Sequence, residues 1–386
     1  MTPQLRGITW NHTRGLLPLV ATAQRFNETH PGVQISWEKR SLQEFADAPI
    51  DRLAERFDLL VIDHPFVGFA ARHETLLPLD KLLPAAFLDN QARHSVGQSH
   101  GSYHYDGHQW ALAIDAAAPV SSWRPQLLEQ CGLFVPKTWE ELLILARRGW
   151  VAIPAMPVDC LMNCFMFCAS LGEDPFTQES MVVGTDVGLE ALRLLRELLV
   201  LCSKECYAWS PIAVYEAIAS RDNVGYCPFA YGYSNYARPG YAEYRLQFGE
   251  LVSLNNGKPL RSTLGGTGLA ISARCPNPEL AGEYVQYVAS ARCQRSLYFE
   301  SGGQPGHRQA WLDKAVNTAS GNFFLDTLPV LERAYLRPRY AGYLHFQDKA
   351  GPIVHHFLRD SGDAREALEQ LNRTHRESET VEGNCL

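Results

Sequence analysis

The segment Asp58-Leu59-Leu60-Val61-Ile62-Asp63 constrains the fold more than any other in the chain. An apolar run this short, bounded by carboxylates, fits a parallel strand covered on both faces. What precedes it repeats a strand–helix unit. Ile8-Thr9-Trp10 reads as a short strand, and Leu16, Leu19, Val20, Ala23 and Phe26 then recur at helical spacing. Pro31-Gly32 turns the chain, and Val33, Ile35 and Trp37 alternate with polar residues as in a half-buried strand. Ser41-x-x-Glu44 has the form of a capping box opening a further helix. The order β-α-β-α-β implies right-handed crossovers and an open, mostly parallel sheet. Ligands of such sheets bind beyond the carboxyl ends of the strands. The residues there are Trp10, Asn11, His12 and Arg14 after the first strand, and Asp63, His64 and Pro65 after the later one.

The pattern changes at Tyr103–Ile114, which reads as a hairpin with Asp106-Gly107 as its two-residue turn. Ala116–Ser122, small and weakly patterned, follows as a hinge, and a second α/β block begins near Trp123. There Thr138-x-x-Glu141 caps a helix that stops at Gly149. Val151–Ile153 and Val224–Tyr226 read as strands, and Asp159–Leu171 and Asp186–Cys202 as helices. Ser262–Ser272 is strand-like again, and Asn277-Pro278-Glu279 starts a helix with Pro at its first position. The polar, acidic tail after Thr374 is expected to fray. A chain of 386 residues with this pattern exceeds one ordinary core and predicts two α/β lobes. Hydrophobic residues at 46 % and charged ones at 20 % match a globular protein rather than a disordered or fibrous one. The net charge is −7 and no Lys/Arg block stands out, so neither nucleic acid nor an anionic membrane is expected as a partner. No apolar run approaches the ~20 residues of a membrane span.

Several constellations were weighed for chemistry. His100, His104 and His108 cluster in sequence, but a turn at Asp106-Gly107 pairs Tyr105 with His108 and His104 with Gln109. Adjacent pairs face opposite sides of a hairpin, so no metal is expected there. Cys160, Cys164 and Cys168 recur four residues apart, as do Cys202 and Cys206. Without a Cys-x-x-Cys pair they read as buried small hydrophobes. Ten cysteines fit a reducing compartment better than an exported one. Met1–Gly7 likewise carries no charged segment followed by an apolar core, so no secretory signal is expected in it. Ser262–Gly268 and Gly302–Gly306 are glycine-rich but lack phosphate-loop and dinucleotide spacing. They are expected to offer backbone N–H groups to ligand hydroxyls or carboxylates. No Gly-x-Ser-x-Gly or His-Glu-x-x-His motif and no nucleophile with its base are present, which leaves an enzyme without support and no cofactor implied.

Tyr231-Gly232-Tyr233-Ser234-Asn235-Tyr236-Ala237-Arg238-Pro239-Gly240 is the most suggestive segment. Its aromatics recur at i, i+2, i+5 among Gly and Pro, not at core spacing. Aromatic faces pack on the C–H face of a pyranose while Asn, Ser and Arg bond its hydroxyls, so ligand or inter-lobe contact is expected.

With these elements in order, the chain resembles the family 1 extracellular solute-binding proteins, the maltose-binding-protein-like class serving ABC importers. Pro136-Lys137-Thr138-Trp139-Glu140-Glu141-Leu142 is similar to that family's P-x-T-W-x-E-L signature and is the most specific match. Leu77-Pro78-Leu79-Asp80, Asp106–Leu112, Gly265–Ile271 and Ala281–Leu297 resemble its other landmarks. The resemblance implies an α/β, two-lobed periplasmic-binding-protein-like (type II) fold, with a hinge and a cleft that closes on the ligand. It assigns residues 1–115 and 263–306 to one lobe, and 116–262 and 307–386 to the other. It further implies a sugar or sugar derivative as ligand, an ABC permease as partner, a monomer, and a periplasmic location; the cysteines argue instead for the cytoplasm, where a ligand sensor or an enzyme on this fold is the alternative. The cleft is then expected to use Trp10, Trp123, Tyr231 and Tyr233 for stacking. His12, Arg14, Asp63, His64, Asn235, Gly266, Thr267, Gly303 and Gln304 are expected to supply polar contacts, Arg14 and His64 reading any carboxylate or phosphate on the ligand.

Overall fold

The computed structural model describes residues 3–41, 50–254, 257–360 and 362–380. The expected capping box at Ser41 has its Glu44 outside the described residues. Strand β1 (Gln4–Trp10) leads into helix α1 (Thr13–Thr29) and back to β2 (Gln34–Arg40), parallel to β1 from Gln4↔Gln34 to Trp10↔Arg40. Strand β3 (Leu59–Ile62) is buried throughout and parallel to β1, and α2 (Phe66–His73) follows it. The hairpin β4 (His104–Tyr105) and β5 (His108–Gln109) has the expected register, His104↔Gln109 and Tyr105↔His108. Asp106 and Gly107 both take positive φ, as a tight two-residue turn demands.

Strand β6 (Leu112–Ala117) then runs out of this sheet, and after Ala118 the chain becomes β7 (Pro119–Trp123) of a second one. Helices α3 (Trp139–Arg147), α4 (Pro157–Ser170) and α5 (Thr185–Leu199) follow, the first held by a complete Thr138/Glu141 capping box. Strands β8 (Tyr226–Tyr231) and β9 (Gln247–Gly249) flank β7 on either side. Strand β10 (Gly265–Ile271) returns to the first sheet, whose order is β2-β1-β3-β10-β6. Because β10 enters from the junction towards which β3 and β6 run, it pairs antiparallel with both. The first sheet is therefore mixed rather than mostly parallel. Helices α6 (Pro278–Ala289), α7 (Tyr343–Asp360) and α8 (Ala364–Thr380) complete the chain.

Each sheet has its own core. Leu5, Leu59, Val61, Leu112 and Ile271 face α1 and α6, while Ile8, Leu60, Ile62 and Ala270 face Phe66 and Val67 on the other side. This is the two-sided burial that the apolar β3 run implies. Around the second sheet, Cys160, Cys164 and Cys168 sit in the core on α4, as small hydrophobes do.

Three local expectations are corrected. Val151–Ile153 makes only one bridge, Val151↔Tyr226, because β8 starts at Tyr226 and runs on towards Tyr231. The tail is helical through Thr380: Ala367, Leu368, Leu371 and His375 form a buried stripe, and Ser378 bonds Tyr340 at 2.7 Å. That stripe, at period 3.6, is the signal its polar composition obscured. Gly265–Thr267 is not a loop either. It pairs with β6; Gly266 takes φ +103° where a Cβ would strike the Asp115 carbonyl, and the register shifts at a bulge between Thr267 and Gly268.

Candidate binding crevice between the lobes

The carboxyl ends of β1, β3 and β6 meet the end of β8 across the lobe junction, so local sequence decides what is presented there. His12 caps α1, its Nδ1 accepting the Arg14 amide at 3.0 Å. The neutral ring therefore carries its hydrogen on Nε2, which meets Tyr241 Oη at 3.3 Å. Burial and the neighbouring Arg14 hold the His12 pKa down to about 4.

Arg14 is buried and fully engaged. Nε donates to Asp115 Oδ2 at 2.7 Å, Nη2 bonds Asp115 Oδ1, and Nη1 donates to the Gly232 carbonyl at 2.8 Å. Its guanidinium also lies 4.6 Å from the centre of the Tyr233 ring. Burial opposes its charge, but Asp115 more than restores it; Asp115 itself is raised by burial even so. Arg14 thus ties the two lobes together and is not free to read a ligand carboxylate, which corrects that expectation.

Asp63 is engaged in the same way. Arg337 Nη2 donates to its two carboxylate oxygens at 2.8 and 2.7 Å, and Arg337 Nη1 donates to Gln347 at 3.0 Å. Burial alone would raise the Asp63 carboxyl, yet Arg337 and His64 hold it well below the usual carboxylate range. His64 is buried, its Nδ1 lies 3.1 Å from Asp63, and burial together with Arg337 brings its pKa to about 4.

The tyrosine segment is ordered and buried rather than a flexible loop. Tyr231 Oη meets Thr263 Oγ1 at 3.1 Å, and its ring lies over Gly265, where a Cβ would collide with it. Tyr233 packs edge-on to His12 at 4.8 Å. The Ser234 amide donates to Gln304 Oε1 at 2.9 Å, and Gln304 Nε2 donates onward to the Ala116 carbonyl at 2.8 Å. Asn235 Nδ2 donates to the Gly302 carbonyl at 3.0 Å, and Arg238 donates to the Phe299 and Gly303 carbonyls at 2.7 Å each. The Gly302–Gln304 loop therefore meets the other lobe through its carbonyls and the Gln304 side chain. Two expected stacking residues lie elsewhere. Trp10 is 3 % exposed in the first core, its ring filling the space beside Gly15. Trp123 pairs with Tyr226 at the far end of β7, four residues from the Pro119↔Tyr231 pair at the junction.

Several buried polar atoms on the meeting segments have no hydrogen-bond partner among the described residues. They are His64 Nε2 and Thr267 Oγ1 from the first lobe, and Ser234 Oγ, Asn235 Oδ1, Arg337 Nε and Tyr343 Oη from the second. Asp115, Arg337 and Tyr343 escaped the sequence reading. Asp115 did leave a trace, as a carboxylate inside the otherwise apolar Leu112–Ala117 strand; Arg337 sits in irregular chain where no periodicity marks a face, and Tyr343 is the first residue of α7, where the helical pattern only begins.

Residues 9–149 match the family model described as bacterial extracellular solute-binding protein. Solved structures agree over nearly the whole chain. A maltose-bound MalE3 of T. maritima superimposes with a TM-score of 0.81 at 17 % identity, covering 98 % of this chain and 99 % of that one. The fold is that of the solute-binding proteins. An ABC transporter solute-binding protein from Agrobacterium radiobacter K84 in complex with ribitol gives 0.82 at 18 % identity, covering 97 % and 98 %. One from Thermotoga lettingae TMO bound with alpha-D-tagatose gives 0.81 at 18 %, covering 96 % and 99 %. As a solute-binding fold the chain is two-lobed, and among its described residues no helix is long and apolar enough to cross a membrane.

Proposed function

We propose that this protein is the solute-binding component of an ABC importer, a non-enzymatic binder that holds a small polyhydroxylated solute in the crevice and delivers it to a permease on the outer face of the membrane. The observation that carries this reading is the set of buried, unpartnered donors and acceptors contributed by both lobes. A buried polar atom without a partner costs about 1–3 kcal/mol, and hydroxyl groups, donor and acceptor at once, relieve both kinds of atom. Tyr231 and Tyr233 line the same junction with the aromatic surface that sugar C–H faces favour. The names of the similar proteins, bound to maltose, ribitol and tagatose, point to the same chemical class.

A thermal-shift screen of sugars and polyols tests it. A solute that binds only the folded state stabilises it by about 2.7 kcal/mol at 100 times its Kd. At least one member of the panel is expected to raise the melting temperature, and Thr267→Val or Ser234→Ala to weaken that response. A panel-wide lack of shift contradicts the proposal.

A further inference from the structure

One carboxyl in the second lobe is unlike the others. Asp159 stands in the first turn of α4 and is 6 % exposed, yet no hydrogen bond or ion pair to it is found among the described residues. The helix start favours a negative charge there. Burial nevertheless pushes its pKa up to about 8, and no guanidinium, ammonium or imidazole offsets that. Val151 bridges Tyr226 in parallel and the Ala152 amide donates to the Tyr226 carbonyl, so the chain leading into α4 runs alongside β8 in the direction of Tyr231, and α4 begins at the junction end of the second sheet.

The charges around it are otherwise matched. Arg14 is committed to Asp115 and Arg337 to Asp63. His12 and His64 are held neutral by burial. Arg238 is turned to the first-lobe carbonyls, its guanidinium 4.0 Å from the Phe299 ring centre. Asp159 is the one carboxyl in this set without a counter-ion.

From this buried, unpartnered carboxyl at the junction end of the second sheet, we infer that the solute carries a basic amine among its hydroxyls, an amino sugar or amino polyol, and that Asp159 is the residue that binds the ammonium group. The inference rests on the binding function proposed above and narrows its ligand class. Binding moves one proton: the Asp159 carboxylic acid loses its proton to solvent as the ammonium group takes that proton's place as its partner.

Calorimetric titrations with three matched pairs test it: glucosamine against glucose, galactosamine against galactose, and 1-amino-1-deoxysorbitol against sorbitol. At least one amine is expected to bind wild type at least about tenfold more tightly than its neutral partner, the range of a charge-assisted hydrogen bond. Titration in two buffers of different ionisation enthalpy at pH 7 should report close to one proton released. Asp159→Asn, which keeps the side-chain shape, should abolish both the preference and the proton release while its melting curve shows it folded. Asp159→Ser serves as the second variant, and the proton count on wild type needs no variant at all. If a neutral member binds as tightly as its amine, or the amine binds Asp159→Asn unchanged, the inference is overturned and the binding function stands. If no member of either series binds, both fall.

Discussion

Two carboxyls on the two sides of the crevice, Asp63 with its side chain 23 % exposed and Asp159 at 6 %, make the most instructive comparison in the molecule. Asp63, at the end of β3, is gripped by Arg337 from the opposite lobe and stays ionised well below the usual range. Asp159, at the start of α4, is buried with no such partner and is pushed the other way. Burial penalises both charges equally in kind; what separates them is whether the protein supplies the counter-charge itself. Where it does, with Arg337–Asp63 and likewise Arg14–Asp115, the charge is matched within the protein, and Arg14 also reaches the Gly232 carbonyl across the junction. Where it does not, the charge is left for a solute to match.

The comparison breaks most sharply at Arg14. Arg14→Ala leaves Asp115, whose side chain is 0 % exposed, without its partner and removes the bond to Gly232. Urea denaturation should report a loss of about 3–5 kcal/mol. Asp63→Asn removes the charge facing Arg337, but the Asp63 side chain is 23 % exposed and water shares the load. A smaller loss, roughly 2–3 kcal/mol, is expected in the same assay.

Asp159→Asn should do the opposite. A carboxyl raised in the folded state binds its proton more tightly there than in the unfolded chain, so its contribution is full below the unfolded value of 3.8 and is lost as pH rises towards about 8. His12, His64, His100 and His307, each lowered to about 4, act in the reverse sense: stability rises between about 4 and their ordinary 6.5 and is flat above. Between pH 6.5 and 8 the Asp159 slope therefore stands clear of them. Wild type should lose roughly 1–2 kcal/mol across that window in chemical-denaturation series, and Asp159→Asn should not. At the small end, Thr267→Val and Ser234→Ala delete hydroxyls with no protein partner among the described residues. Each should raise the stability of the solute-free protein, by about 1 kcal/mol in the same denaturation assay, because the cost of an unpartnered buried hydroxyl is removed and no intramolecular bond is lost.

The sequence made the scaffold readable because scaffold signals are local. The Asp58–Asp63 run, the Thr138/Glu141 capping box and the Asp106-Gly107 turn each impose geometry within a few residues, and each stands in the structure where its pattern puts it. The crevice was readable only in part. His12, Arg14 and Asp63 lie at strand ends, which topology alone directs to the junction. Whether such a residue faces a ligand or its own partner depends on chain more than 200 residues away, as with Asp63 and Arg337, and no periodicity encodes that. Trp10 and Trp123 misled because an aromatic near a strand end has two faces to choose from, and both are turned to packing. Asp159 was hidden for a different reason: an acid in the first turn of a helix is ordinary. What is unusual here is that Asp159 is buried while its neighbour Val158 in the same turn is exposed.

The most direct test of the account is a carbon-13 NMR titration of the aspartate side-chain carboxyls, with and without the tightest solute from the matched panel. The account predicts one aspartate titrating near pH 8 in the free protein, absent from Asp159→Asn, while Asp63 stays ionised through the acid range. Adding the solute should move the Asp159 transition down to ordinary carboxylate values. A free protein in which every aspartate visible to the titration is ionised by pH 5, or an Asp159 transition that the bound solute leaves in place, would contradict it.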